Sequence, residues 1–73
     1  MKGIPSREEI QYFKKKYTPG TRIRLNEMSG EPQMSEGLEG TVLRVDDIGQ
    51  IVMRWDNGSS LSLNVYEDRF VVI

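Results

Sequence analysis

The chain predicts a mainly β fold: a small antiparallel barrel of five short strands with one short helix at its N-terminal end. Three observations carry this. A capped stretch of helical period occupies residues 6–17, residues 21–28 alternate apolar with polar, and two similar turns at 47–49 and 56–58 fold residues 40–64 onto one apolar face.

The helix comes first. Ser6 and Glu9 stand three apart as a capping box, in which the hydroxyl accepts from the Glu9 amide and the carboxylate accepts from the Ser6 amide. Pro5 suits the entrance, Glu8 and Glu9 suit the positive end of the helix dipole, and Lys14, Lys15 and Lys16 suit the negative end. Ile10, Phe13 and Tyr17 form one apolar stripe, and Thr18-Pro19-Gly20 ends the helix. A helix this short is not stable alone, so the stripe has to lie on something else.

Residues 21–73 read as the barrel. In "TRIRLNEM" Ile23 and Leu25 fall on one face, Arg22 and Arg24 on the other. "SGEPQMSEG", residues 29–37, lacks periodicity and reads as an exposed loop.

The register of residues 40–64 follows from the turns. A two-residue hairpin at Asn57-Gly58 would set Arg54 opposite Leu61 and Trp55 opposite Ser60, mixing polar with apolar on both faces. A three-residue loop, Asp56-Asn57-Gly58 with Gly58 left-handed, instead pairs Trp55 with Ser59, Met53 with Leu61 and Ile51 with Leu63. The same reading of Asp47-Ile48-Gly49 pairs Val45 with Ile51 and Leu43 with Met53. Because a slip of one residue turns every side chain over, the agreement of both turns on one core face fixes the register. The opposite face then carries Val42, Arg44, Val52, Arg54, Ser60 and Ser62. A tight or single helical turn at 65–68 leads into a last strand, "RFVVI". Closing such strands removes exposed edges, so the expected architecture is an SH3-like barrel with the helix against its side or one end.

Composition bounds the function. With 73 residues the chain is one domain, 1–73, of a size that buries only about 60% of its unfolded surface. It has no cysteine and no histidine, which removes disulfides, zinc sites of the usual N/S type, thiol nucleophiles and the commonest general base. No apolar run is long enough for a signal peptide or a membrane span, so a cytoplasmic location is expected. The net charge is −1, but it is uneven: residues 1–25 carry seven basic and two acidic side chains, residues 26–73 three basic and nine acidic. Halves that attract one another account for this without a ligand, and a basic binding surface is the sharper alternative.

Individual residues divide the same way. Trp55 could stack on a ligand with Tyr66 and Phe70, but it falls in step with Met53 and Leu61 and reads as core. "DNGSS", residues 56–60, has the chemistry of a turn and lacks the ligand spacing of a calcium loop. Asp46 and Asp47 point to opposite faces and make no carboxylate pair. No catalytic, cofactor-binding or metal-binding residue is assigned, and no enzyme is expected. The candidate partner-binding residues are Lys14, Lys15, Lys16, Arg22, Arg24, Arg44, Arg54 and Tyr66.

"GTR" at 20–22, "GTV" at 40–42, "VDDIG" at 45–49 and "RWDNGSSL" at 54–61 give the chain a resemblance to domain-of-unknown-function family 4314. The resemblance covers nearly the whole chain and implies a source in Gram-positive bacteria, their phages or mobile elements. It implies no activity, so it assigns no site residues. Two functions are therefore weighed. One is a non-enzymatic module binding a protein or peptide through a barrel groove, an open strand edge or the 29–37 loop; the other is a nucleic-acid-associated module using the basic N-terminal surface.

Overall fold

A computed structural model gives the fold and describes residues 5–28, 30, 31 and 34–73. Its elements are α1 (Arg7–Lys16), β1 (Arg22–Glu27), β2 (Glu39–Val45), β3 (Ile51–Trp55) and β4 (Arg69–Val72). The four strands form one antiparallel sheet in the order β3-β2-β1-β4.

The helix forms where its caps require. Glu9 donates its amide to Ser6 Oγ at 3.1 Å and Ser6 donates its amide to Glu9 Oε1 at 2.9 Å, closing the capping box. Phe13 and Tyr17 are buried, and Ile10 is half-buried. The stripe packs on the C-terminal part of the chain: the Phe13 ring lies 6.1 Å from that of Tyr66, and Tyr17 lies 5.8 Å from Phe70, both edge-on.

Both turns take the three-residue form. Gly49 and Gly58 have φ of +86° and +91°, where a side chain would be strained. Asp46 donates its amide to the Gln50 carbonyl and Trp55 donates its amide to the Ser59 carbonyl, so Val45 pairs with Ile51 as expected. Ile51 and Leu63 exchange two backbone hydrogen bonds of 2.9 Å.

Three expectations change. The first concerns β2, where Val42 pairs with Met53 but Arg44 pairs with Val52, making Leu43 an extra residue in the ladder. This bulge reverses the alternation, so Val42 enters the core and Leu43, expected there, is exposed.

The second concerns the expected fifth strand. After Ser59 the chain leaves the ladder and returns only at the Ile51–Leu63 bridge, so Met53 and Leu61 do not pair. Local bonds compete for the backbone: Asn57 Oδ1 accepts from the Ser59 amide, Ser59 Oγ from the Leu61 amide, and the Leu61 carbonyl from Trp55 Nε1 at 2.8 Å. Among the described residues the sheet has four strands and stays open, and the helix stripe packs on β4 and the turn before it, Tyr17 against Phe70 and Phe13 against Tyr66.

The third concerns the loop. Gly30, Ser35, Glu36 and Gly37 are exposed, but Met34 is buried as part of the core, and Gly37 donates its amide to the Leu25 carbonyl at 2.7 Å. Ser29, Pro32 and Gln33 of that loop, like residues 1–4, lie outside the described residues. The core joins Phe13 and Tyr17 to Ile23, Leu25, Val42, Val45, Ile51, Met53, Trp55 and Leu63. At residues 65–68, where a tight or single helical turn is expected, the chain makes a turn: Glu67 and Asp68 donate their amides to the Asn64 carbonyl, while Asn64 Oδ1 accepts from the Tyr66 amide.

Candidate functional site

The outer face of the sheet gathers four of the predicted residues. Arg22, Thr41 and Arg54 stand in one cross-strand row on β1, β2 and β3, and Arg24 stands opposite Glu39. Arg44 lies on the same face, opposite Val52. Arg22 is firmly held: Nη1 and Nη2 donate to the two Asp56 carboxylate oxygens at 2.9 and 2.6 Å, and Nη1 also donates to Thr41 Oγ1 at 2.9 Å. That fork holds the Asp56 carboxyl below its usual pKa and raises that of the guanidinium. Glu39 accepts more weakly from Arg22 and Arg24, at 3.4 and 3.5 Å. Among the described residues Arg44 and Arg54 have no ion pair.

Of the helix cations, Lys14 lines one depression with Arg44, Asp46 and Asp47, while Lys15 and Lys16 lie outside it. Lys14 Nζ pairs with Asp47 at 3.4 Å, in the turn before β3, whereas Arg22 pairs with Asp56, in the turn after it. About 15 Å of strand separates the two pairs, so these basic residues make no single patch. The Lys16 ammonium stands 5.4 Å from the centre of the Tyr17 ring and 5.8 Å from that of Tyr12, and Lys15 is exposed. Tyr66 ties the C-terminal turn to the helix: its hydroxyl donates to Glu9 Oε2. The bond lowers the Glu9 pKa and raises that of the phenol. Trp55 is only 1% exposed, so stacking on an external ligand is closed to it.

What the sequence left without residue names is the sheet edge. The edge of β3 is met by the bridge at Leu63, but the far edge of β4 has no strand beside it among the described residues. Ile73 donates its amide to the Arg22 carbonyl at 3.0 Å, and Val71 stands opposite Arg24. By the alternation of an antiparallel ladder, Phe70 and Val72 turn their peptide groups outward. Val71, Val72 and Ile73 are 42%, 50% and 49% exposed. The signal for this lay in "RFVVI", a strand with no lysine or proline to guard an edge. Beside the start of β4 an open depression is bounded by Glu27, Met34, Glu36 and Arg69. Among the described residues no group of acidic side chains is arranged to hold a metal ion, and no helix is long and apolar enough to cross a membrane.

The family model of DUF4314, a domain of unknown function, matches residues 6–73, from the N-cap of α1 through β4. The chain belongs to DUF4314. No curated protein and no solved structure matches it. In this DUF4314 chain the motifs that carried the resemblance do structural work. The Arg22–Asp56 fork joins "GTR" to "RWDNGSSL", and Gly40 of "GTV" lies beneath the indole of Trp55. "VDDIG" forms the β2–β3 turn, where Asp46 Oδ1 accepts from the Ile48 and Gln50 amides.

Proposed function

We propose that this DUF4314 chain is a small non-enzymatic interaction module of the cytoplasm that binds an extended segment of a protein by adding it as a strand to β4. The observation that carries the reading is the unguarded edge, where the outward peptide groups of Phe70 and Val72 are flanked by exposed Val71, Val72 and Ile73. Backbone groups on such an edge supply affinity, and alternate side chains supply specificity. The SH3-like barrel belongs to this reading: it is supported by the bulges in β1 and β2, which bend the sheet in the sense that closure needs.

A second reading, nucleic-acid association, is favoured by Arg44 and Arg54, which lie on the outer face without ion pairs among the described residues. It has less support, because Arg22, Arg24 and Lys14 are already engaged by carboxylates.

Amide NMR titration of the labelled chain separates the two. A panel of short peptides rich in valine and threonine is expected to move Phe70, Val71 and Val72, and Val72→Pro, which removes one outward donor, is expected to abolish the response. Peptide-induced shifts that leave β4 untouched would sink strand addition. Oligonucleotide-induced shifts around Arg44 and Arg54 that fade steeply with salt would put the second reading first.

A further inference from the structure

The edge of β4 is complementary to itself. An antiparallel neighbour of the same sequence, with Val71 on the two-fold axis, sets Phe70 opposite Val72 of the second copy and Val72 opposite Phe70 of the second copy. These are the two residues whose peptide groups turn outward, so each pair exchanges two hydrogen bonds and four form in all. The side chains agree with the backbone. Phe70 and Val72 stand opposite Leu25 and Ile23 on the inner face of the sheet, so the second copy extends an apolar surface with an apolar surface. On the outer face Val71 meets Val71, and Arg69, the one charge in the strand, meets Ile73 rather than a like charge.

A competing register does worse. With Phe70 on the two-fold, the outward groups remain in phase, but Val72 falls opposite Asp68 and Val71 opposite Arg69. Of these two registers, the one centred on Val71 matches hydrogen-bond phase, apolar character and charge together, and it pairs both outward residues.

We infer that the segment β4 receives is β4 of a second copy, giving a two-fold symmetric dimer with one continuous eight-stranded sheet. This rests on the reading of β4 as a strand-accepting edge and names its occupant. The dimer covers the exposed Val71 and Val72, which explains how an edge without lysine or proline is tolerated.

Sedimentation velocity from micromolar to millimolar concentration tests it. The full chain is expected to rise from a mass of 8.4 kDa to twice that value. Val72→Pro and, independently, Val71→Lys, which brings two ammonium groups together at the two-fold, are expected to lose the dimer. Burial of the Trp55 indole, followed by its fluorescence, reports whether each variant keeps its fold. A wild-type chain that stays at 8.4 kDa throughout overturns the dimer, as does a dimer that persists in a folded Val71→Lys variant. If such a monomer still takes a valine-rich peptide at Phe70 and Val72, strand addition survives with a foreign partner; if it takes none, both readings fail.

Discussion

Trp55 and the glycines around it show how one residue is fixed by two different constraints. A Cβ on Gly40 would lie 2.7 Å from Trp55 Cε3 and 3.0 Å from the Arg54 carbonyl oxygen, so the indole occupies the space a side chain would need. At Gly58 a Cβ meets nothing within 4 Å, but φ is +91°. The first position is restricted by packing and the second by the backbone. Gly40→Ala is expected to cost about 1–3 kcal/mol through overpacking, and Gly58→Ala about 1–2 kcal/mol through conformation. Denaturant unfolding measures both. The two differ in kind: crowding at Gly40 also shifts Trp55 fluorescence in the folded state, whereas strain at Gly58 leaves the indole in place. The tryptophan could be assigned to the core from its register with Met53, but its Nε1 bond to the Leu61 carbonyl could not be read from spacing.

At the scale of elements, the turns were legible and the bulge was not. Asp47-Ile48-Gly49 and Asp56-Asn57-Gly58 announce themselves because glycine supplies the left-handed residue that closes such loops. The bulge at Leu43 has no such mark: "TVLRV" offers two adjacent apolar residues, and a strict alternation counted back from Val45 chooses the wrong one. Val42 is 1% exposed and Leu43 42%. Val42→Ala is therefore expected to cost about 2 kcal/mol, from lost methyl burial and a partly relaxed cavity. Leu43→Ser is expected to stay within about 0.5 kcal/mol, as for an ordinary surface change. Equal losses at both positions in chemical denaturation would contradict the bulge. The expected strand at 59–63 failed for a related reason, since serine and asparagine side chains took backbone donors that a ladder needs.

For the whole molecule, two long-range pairs couple stability to pH. The Arg22 fork lowers the Asp56 pKa, and Tyr66 lowers that of Glu9, so both contributions are present above the ordinary carboxylate range. They are lost as pH falls through the lowered values. The Tyr66 phenol is raised by the same bond to Glu9, so its contribution is present below the ordinary tyrosine value of about 10 and is lost as pH rises through the raised one. The thermal midpoint should therefore fall on both the acid and the alkaline side of neutrality. Asp56→Asn should flatten the acid limb, and Tyr66→Phe the alkaline limb together with the Tyr66 share of the Glu9 contribution to the acid one, the Ser6 capping bonds keeping the rest. An acid limb unchanged in Asp56→Asn would show that the fork does not couple to folding. The charge asymmetry along the chain finds part of its meaning here: Lys14, Arg22 and Arg24 of the basic third pair with Asp47, Asp56 and Glu39 of the acidic remainder.

Local residues specify the helix and its caps, the mainly β character, both turns and the core-facing register of Trp55, and the composition holds no histidine or cysteine. Each of these depends on residues close together in the chain, where periodicity, capping and turn geometry act directly. That Val42 rather than Leu43 enters the core, that the sheet stays open, and that Lys14 and Arg22 pair at opposite ends of β3 emerge only when the strands pack. Packing also decides which edge lacks a neighbouring strand among the described residues. Those outcomes depend on which strands meet and in what register, and a strand's own residues do not specify the partner that is missing from its side.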